Sequence, residues 1–235
     1  MKYSVVIAAY NEQENIGNLT ARIVSVFDGM PEADWELIYV IEGTDGTLSI
    51  AQSFAATRPQ IKLLYAAQPT GLGAAFRRGF ASVSPDADAV VTMDADLNHQ
   101  PEEMPRLAAA LFAREADIVV GSRKVSGSTI EGAPFWKTAL SNGVNVMIRK
   151  VIGMPVADQT SGYRVYRMSA FQSISFDDTG FAFLPEILIQ ANKKKMKIVE
   201  EPIQFIFRKA GESKMKLLPT ARSYLRMLSS RLRKH

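Results

Sequence analysis

Apolar positions along the chain follow two periods in turn. Short apolar runs rich in β-branched residues occur at Ser4–Ala9, Glu36–Ile41, Ile61–Tyr65, Ala89–Asp94 and Asp117–Gly121. Between them lie Glu12–Phe27, Thr47–Thr57, Gly71–Ser82 and Glu102–Glu115, where apolar residues recur every three or four positions. The first pattern predicts strands and the second helices. Their alternation predicts a mostly parallel central sheet with helices on both faces, a three-layer α/β fold. Loops after the C-terminal ends of such strands face the ligand. The residues of chemical interest gather there: Tyr10-Asn11-Glu12, Glu42 to Thr47, Asp94 and Asp96, and Gly121-Ser122-Arg123.

From about Val125 the pattern changes. Ser126 to Pro134 reads as a Gly/Ser/Pro-containing loop, either a mobile active-site segment or a surface crossing. Lys137 to Ile152 reads as a helix with Leu140, Val144, Met147, Ile148 and Val151 on one face. A further helix is expected near Pro185–Lys195 and an alternating strand over Ile198 to Phe207. No internal repeat and no linker marks a second domain.

The chain has 235 residues, 47% of them hydrophobic and 22% charged, which is enough for one sizeable soluble core. It has no cysteine, which excludes disulfides, thiolate metal sites and a cysteine nucleophile. The two histidines, His99 and His235, are too few for a multi-histidine zinc site. The chain starts directly on a strand and contains no run of about 18 apolar residues, so neither a visible export signal nor a membrane span is expected. The net charge is +4, but residues 211–235 hold seven bases and one acid, so the rest is slightly acidic.

Within that basic tail Leu218, Ala221, Leu225, Leu228 and Leu232 form one helical stripe flanked by arginines. Such a helix suits an anionic membrane surface or a membrane-anchoring partner, or it packs on the domain with its basic side in water. No aromatic-basic platform accompanies the charge, so no nucleic acid partner is expected.

The strand at Ala89 ends in Asp94-Ala95-Asp96, followed by Leu97-Asn98-His99-Gln100-Pro101. Two carboxylates at a strand's C-terminal edge suit a divalent metal held against a diphosphate. Alternatively they end a strand and cap the helix that opens at Pro101.

Seven segments in order carry a family resemblance: Ala8-Ala9-Tyr10-Asn11-Glu12, Thr44-Asp45-Gly46-Thr47, Gly71-Leu72-Gly73-Ala74-Ala75, Met93-Asp94-Ala95-Asp96-Leu97, Gly121-Ser122-Arg123, Thr160-Ser161-Gly162-Tyr163-Arg164, and Glu201-Pro202-Ile203 through Arg208, Gly211 and Ser213-Lys214. Over residues 3 to 216 the chain resembles the dolichol-phosphate (polyprenyl-phosphate) mannosyltransferase branch of the inverting GT-A glycosyltransferases. The resemblance implies a single Rossmann-like GT-A catalytic domain over 1–216 and a basic amphipathic helix over 217–235. It implies metal-dependent transfer of a hexose, mannose from GDP-mannose foremost, to a polyprenyl or dolichyl phosphate, by a peripheral protein at the cytoplasmic face of a membrane. Two other readings stay open: a sugar hydroxyl as acceptor in envelope polysaccharide synthesis, and a nucleotide-sugar-binding subunit with weak catalysis.

The resemblance also implies site residues. Asp94 and Asp96 are to hold Mg²⁺ or Mn²⁺, with Asn98 where relatives usually carry a further oxygen ligand, Gln. Ala9, Tyr10 and Glu12 are to line the base and ribose pocket. Relatives read Asp-Asp-Gly-Ser-x-Asp-Gly-Thr in the second loop, one residue longer than the segment here, which leaves Glu42 as the one acid for the base. Asp45 either meets the nucleotide or caps the helix near Thr47. Gly71 permits either close approach to a ligand or a tight turn, and Arg77 and Arg78 read as solvated surface charges or, as the second reading, as phosphate contacts. Arg123 is to grip a phosphate. Lys137 and Ser141 stand where relatives carry Arg and Ser near the acceptor phosphate. Asp158 is to orient Arg164 or pair with it, in a segment that closes over the diphosphate. Glu186 is a candidate site residue, and Arg208 and Lys214 are to contact phosphate. An ionised phosphate acceptor requires no strong general base. A sugar hydroxyl would require one, with Asp158 or Glu186 as candidates.

Overall fold

The computed structural model describes residues 1–132, 143, 145–150, 153–207, 223 and 224. In chain order the elements are β1 Lys2–Tyr10, α1 Ile16–Asp28, β2 Asp34–Glu42, α2 Thr47–Ala55, β3 Ile61–Ala66, α3 Leu72–Phe80, β4 Ala89–Thr92, α4 Met104–Ala113, β5 Ile118–Ser122, β6 Thr129–Glu131, β7 Arg164–Arg167, α5 Met168–Ser173, α6 Phe183–Lys193, β8 Ile198–Pro202 and β9 Gln204–Ile206. Seven strands form one sheet in the order β3-β2-β1-β4-β7-β5-β8, and β6 with β9 forms a small second sheet.

The five strands and four helices expected of the first half are present, with ends shifted by a few residues. Their side chains explain the three layers. Val5 and Ile7 of β1 and Leu37 and Tyr39 of β2 belong to one core cluster, covered by Ile16, Leu19 and Ile23 of α1 and Leu107 and Leu111 of α4. Val6 and Ile38, the residues between them, belong to the other, covered by Phe76 of α3 and Phe183 and Ile187 of α6. This alternation is the period of two of a strand buried on both faces. On the second face Gly79 lets α3 lie close to the sheet, since a Cβ there would fall 2.5 Å from Val6 Cγ1.

The second half departs from its pattern, and helix α5 is one addition. Strand β7 runs antiparallel between β4 and β5 in the middle of the sheet. Its four residues begin and end on arginine, which hides it from any apolar pattern. Arg167 donates from Nε to Ala116 O and from Nη2 to Leu111 O, so its charge sits on main-chain acceptors. The expected strand Ile198–Phe207 divides at Ile203, so that β8 pairs with β5 and β9 with β6. The loop expected from Ser126 contains β6.

Of the tail, Ser223 and Tyr224 are described. Tyr224 is buried in the second core cluster, and Ser223 Oγ donates to the Asp178 carboxylate. At this point the tail lies on the domain. Lys137, Ser141, Arg208, Lys214 and the stripe leucines lie outside the described residues. No described helix is long and apolar enough to cross a membrane.

Candidate active site

Strand β4 gives way to a tight turn that carries the acid pair. Leu97 takes a left-handed φ of 62°, which turns the chain back so that His99 lies beside Asp94. The His99 Nδ1 accepts the Asp94 N–H at 3.2 Å and stands 3.6 Å from Asp94 Oδ2. Burial drives the His99 pKa down to about 4, so the ring is neutral at pH 7. Loss of water around Asp94 raises its carboxyl above the ordinary value, against the pull of Arg123 and Arg164. Asp96 accepts the Asn98 main-chain N–H at 3.2 Å and the Asn98 Nδ2 at 2.7 Å. Asn98 thus turns a donor towards Asp96.

Arg123 follows β5. Its Nε and Nη2 each lie 2.7 Å from an Asp158 carboxylate oxygen, and its main-chain N–H bonds Asp158 as well. Nη2 also reaches Thr160 Oγ1, and the guanidinium lies over the Phe205 ring. Burial alone would lift the Asp158 pKa, but the Arg123 charge outweighs it and holds the carboxyl at about 2. The expected Asp158–Arg164 pair is therefore replaced by Asp158–Arg123. Arg164 is fully buried. It donates to Ser161 O, Leu184 O and Gln159 O, pinning the 159–164 segment against α6.

At the ends of β1 and β2, Tyr10 is 38% exposed while Ala9, Glu12 and Glu42 are buried. Glu12 accepts Asn15 Nδ2 at 2.6 Å, and its own N–H bonds Thr47 Oγ1. The Glu42 carboxylate takes the Thr70 N–H at 2.9 Å, the Thr70 hydroxyl at 2.5 Å and Arg78 Nη1 at 3.1 Å. Arg78, expected in water, is thereby a partner of Glu42. Asp45 accepts the Thr47 N–H and hydroxyl and the Gln13 N–H, which makes it the clasp at the start of α2.

Gly71 and Gly73 are crowded by the chain itself. Gly71 has φ +100°, and Cβ atoms there and at Gly73 would fall 2.4 Å from Thr179 O and 2.2 Å from Asp178 O. The Gly73 N–H donates to Thr179 O, so the opening of α3 is capped by the 177–180 loop. That loop is held in turn by Glu186, whose Oε2 accepts the Asp177 and Asp178 N–H groups, and by Arg77, which bonds Asp177 O. Glu186 and Gly71 belong to one structural latch.

Sequence reasoning passed over His99, Thr70 and the packing role of Gly162. Gly162 was legible only as part of a motif. His99 left a signal in its position three residues beyond Asp96, at the turn.

The family model of Glycosyl transferase family 2 matches residues 4–175. The chain belongs to that family. Over 221 residues this family 2 glycosyltransferase is 36% identical to the dolichol-phosphate mannosyltransferase of Pyrococcus furiosus, an alignment covering 92% of this chain and 60% of that protein. The chain thus spans less than two thirds of that relative. It is 35% identical over 219 residues to an undecaprenyl-phosphate mannosyltransferase of Micrococcus luteus, covering 92% of this chain and 88% of the relative. Among solved structures, glucosyl-3-phosphoglycerate synthase of Mycobacterium tuberculosis, in complex with Mn²⁺, uridine diphosphate and phosphoglyceric acid, aligns with a TM-score of 0.72 at 22% identity, covering 98% of this chain and 77% of that one. The likeness establishes the GT-A fold expected from the sequence.

Proposed function

We propose that this family 2 glycosyltransferase moves a hexose, mannose from GDP-mannose foremost, from a nucleotide diphosphate sugar to a polyprenyl phosphate at the cytoplasmic face of a membrane. The relatives' names support the acceptor and the sugar. The observation that carries the reading is the state of the two candidate bases. Asp158 is closed by Arg123 and held at about 2, and Glu186 accepts two main-chain N–H groups. Neither is disposed to take a proton from a sugar hydroxyl. A phosphate acceptor, already ionised near neutral pH, needs no such base.

Asp94 and Asp96 would hold a divalent cation. Their hard oxygens fit Mg²⁺ or Mn²⁺, and Gly162 leaves room for the Asp94 carboxylate, since a Cβ there would fall 2.7 Å from its Oδ1. Among the described residues no group of three His, Asp or Glu could hold a metal, so diphosphate oxygens and water would complete the shell. The bound cation would neutralise charge on the leaving diphosphate. Arg123, oriented by Asp158 and Thr160, adds a fixed positive charge beside it. Ala9, Tyr10, Glu12, Glu42 and Asp45 build the nucleotide edge, the two last acids by holding its loops. Lys137, Ser141, Arg208 and Lys214 are proposed on sequence for the acceptor and donor phosphates. With two oriented phosphates, positioning and charge neutralisation drive an in-line displacement that inverts the anomeric centre.

The test is purified protein with Mn²⁺ or Mg²⁺, a panel of labelled nucleotide sugars and a short polyprenyl phosphate, beside Asp96→Ala. Chloroform-soluble label that is absent in the variant supports the reading. Metal-dependent nucleotide binding without turnover would make the chain a nucleotide-sugar-binding subunit.

A further inference from the structure

We propose that His99 and Gly162 are positioning residues that fix Asp94 from two sides, His99 by holding its main chain and Gly162 by leaving space for its carboxylate. The proposal rests on the reading that Asp94 and Asp96 hold a divalent cation.

His99 is 1% exposed and packs between Tyr163 and Phe205, with ring centroids 5.1 and 5.4 Å away. An apolar ring would fill that nest. What the imidazole adds is an acceptor: Nδ1 receives the Asp94 N–H. A neutral ring that accepts at Nδ1 carries its proton on Nε2, and Nε2 has no hydrogen-bond partner among the described residues. A buried donor without a partner costs stability. Among the described residues the Asp94 N–H is the one group the imidazole hydrogen-bonds. The contact closes the Asp94–His99 turn, inside which Asp96 is tied to Asn98. The His99 bond thus holds the main chain at Asp94, and the Asn98 bonds hold the Asp96 carboxylate within the same turn.

Gly162 acts through its missing side chain. Its backbone is outside the left-handed region, so conformation does not demand glycine. Space does: a Cβ would meet Asp94 Oδ1 at 2.7 Å, Cγ at 3.4 Å and Oδ2 at 3.5 Å. The residue cannot move aside. Its carbonyl accepts Thr92 Oγ1 at 2.8 Å, Ser161 bonds Gly121 O at 2.6 Å, and Arg164 pins the same segment. An added methyl would therefore displace the carboxylate rather than the floor.

The test is Mn²⁺ uptake followed by electron paramagnetic resonance, with GDP or UDP present, and circular dichroism to select folded protein. Gly162→Ala and His99→Gln are each expected to weaken Mn²⁺ binding about 10- to 100-fold, the range for partners that orient metal ligands. His99→Asn places an amide oxygen near the former Nδ1 and is expected to stay within about 3-fold of the parent, as a retained orienting bond requires. Parent-like binding by folded Gly162→Ala, or equal binding by the two His99 variants, overturns the proposal. No Mn²⁺ uptake by the parent protein with either nucleotide overturns the cation reading itself.

Discussion

The Asp158 carboxylate meets Arg123 edge to edge, one oxygen 2.7 Å from Nε and the other 2.7 Å from Nη2. Asp158 is wholly buried and is oriented from behind by Glu200, which accepts the Ala157 and Asp158 N–H groups. The pair joins the end of β5 to the segment that leads into β7. It also fixes a guanidinium whose charge is felt at Asp94.

Removing one partner of such a pair leaves the other charge buried without compensation, which costs about 3–5 kcal/mol. Asp158→Asn is expected to lower stability at pH 7 by that order in chemical denaturation. The pH dependence has a definite sign. The folded carboxyl titrates at about 2 and an unfolded Asp near 3.9, so its contribution is complete above about pH 4 and fades as pH falls towards 2. Linkage puts that contribution at about 2–3 kcal/mol. The parent should lose it across that window, and the Asn variant should show a flatter profile there.

The 177–180 loop gives a second prediction. Because Gly71 and Gly73 are crowded by Thr179 and Asp178 carbonyls, Gly73→Ala is expected to destabilise the protein by about 2–3 kcal/mol through backbone displacement. Thermal unfolding would register a clear fall in midpoint. If the glycine instead serves a ligand alone, the midpoint stays and nucleotide affinity drops.

How far the sequence could be read follows from the range of each interaction. Strands β1, β2, β4 and β5 announce themselves because both faces are buried and their residues run mostly apolar, and the edge strand β3 keeps enough of that pattern to be read with them. The acid pair is legible for the same reason, as the polar end of such a run. Strand β7 is not, since Arg164 and Arg167 hide their charge on carbonyls that no local pattern reveals. Arg123 and Asp158 lie 35 positions apart in separate loops, whereas Arg164, the partner expected for Asp158, stands in the same short segment. Gly71 shows that a glycine signals close approach without saying by what. The short second loop exposed Glu42 as a lone acid, yet its partners Thr70 and Arg78 come from the loop before α3 and from α3 itself.

Glu186 separates a structural acid from a catalytic one. Hydrogen bonds from two main-chain donors to a carboxylate contribute about 1.5–3 kcal/mol each when charge-assisted. Glu186→Ala is expected to lower the unfolding midpoint while turnover by the folded protein changes less than about 10-fold. A general base would instead show a loss of about 10²-fold or more in turnover. Steady-state rates measured well below the midpoint decide between them.

The acid pair supplies the last prediction. Asp96 is half-buried, and it accepts two hydrogen bonds from Asn98, two residues on. Asp96→Asn keeps the size of the side chain and removes one anionic oxygen, so folding should change little, within about 0.5 kcal/mol as for surface changes away from special features. Cation affinity should not survive in the same way, because a hard divalent ion is held chiefly by charged oxygen. With half of the pair neutral, nucleotide binding should lose its dependence on Mn²⁺ while the midpoint in nucleotide-free buffer stays near that of the parent. Chelation of the parent protein should reproduce the binding defect, and restoring Mn²⁺ should reverse it in the parent and leave the variant unchanged. Retained Mn²⁺-dependent nucleotide binding in Asp96→Asn would assign the turn after β4 a capping role and move the cation elsewhere.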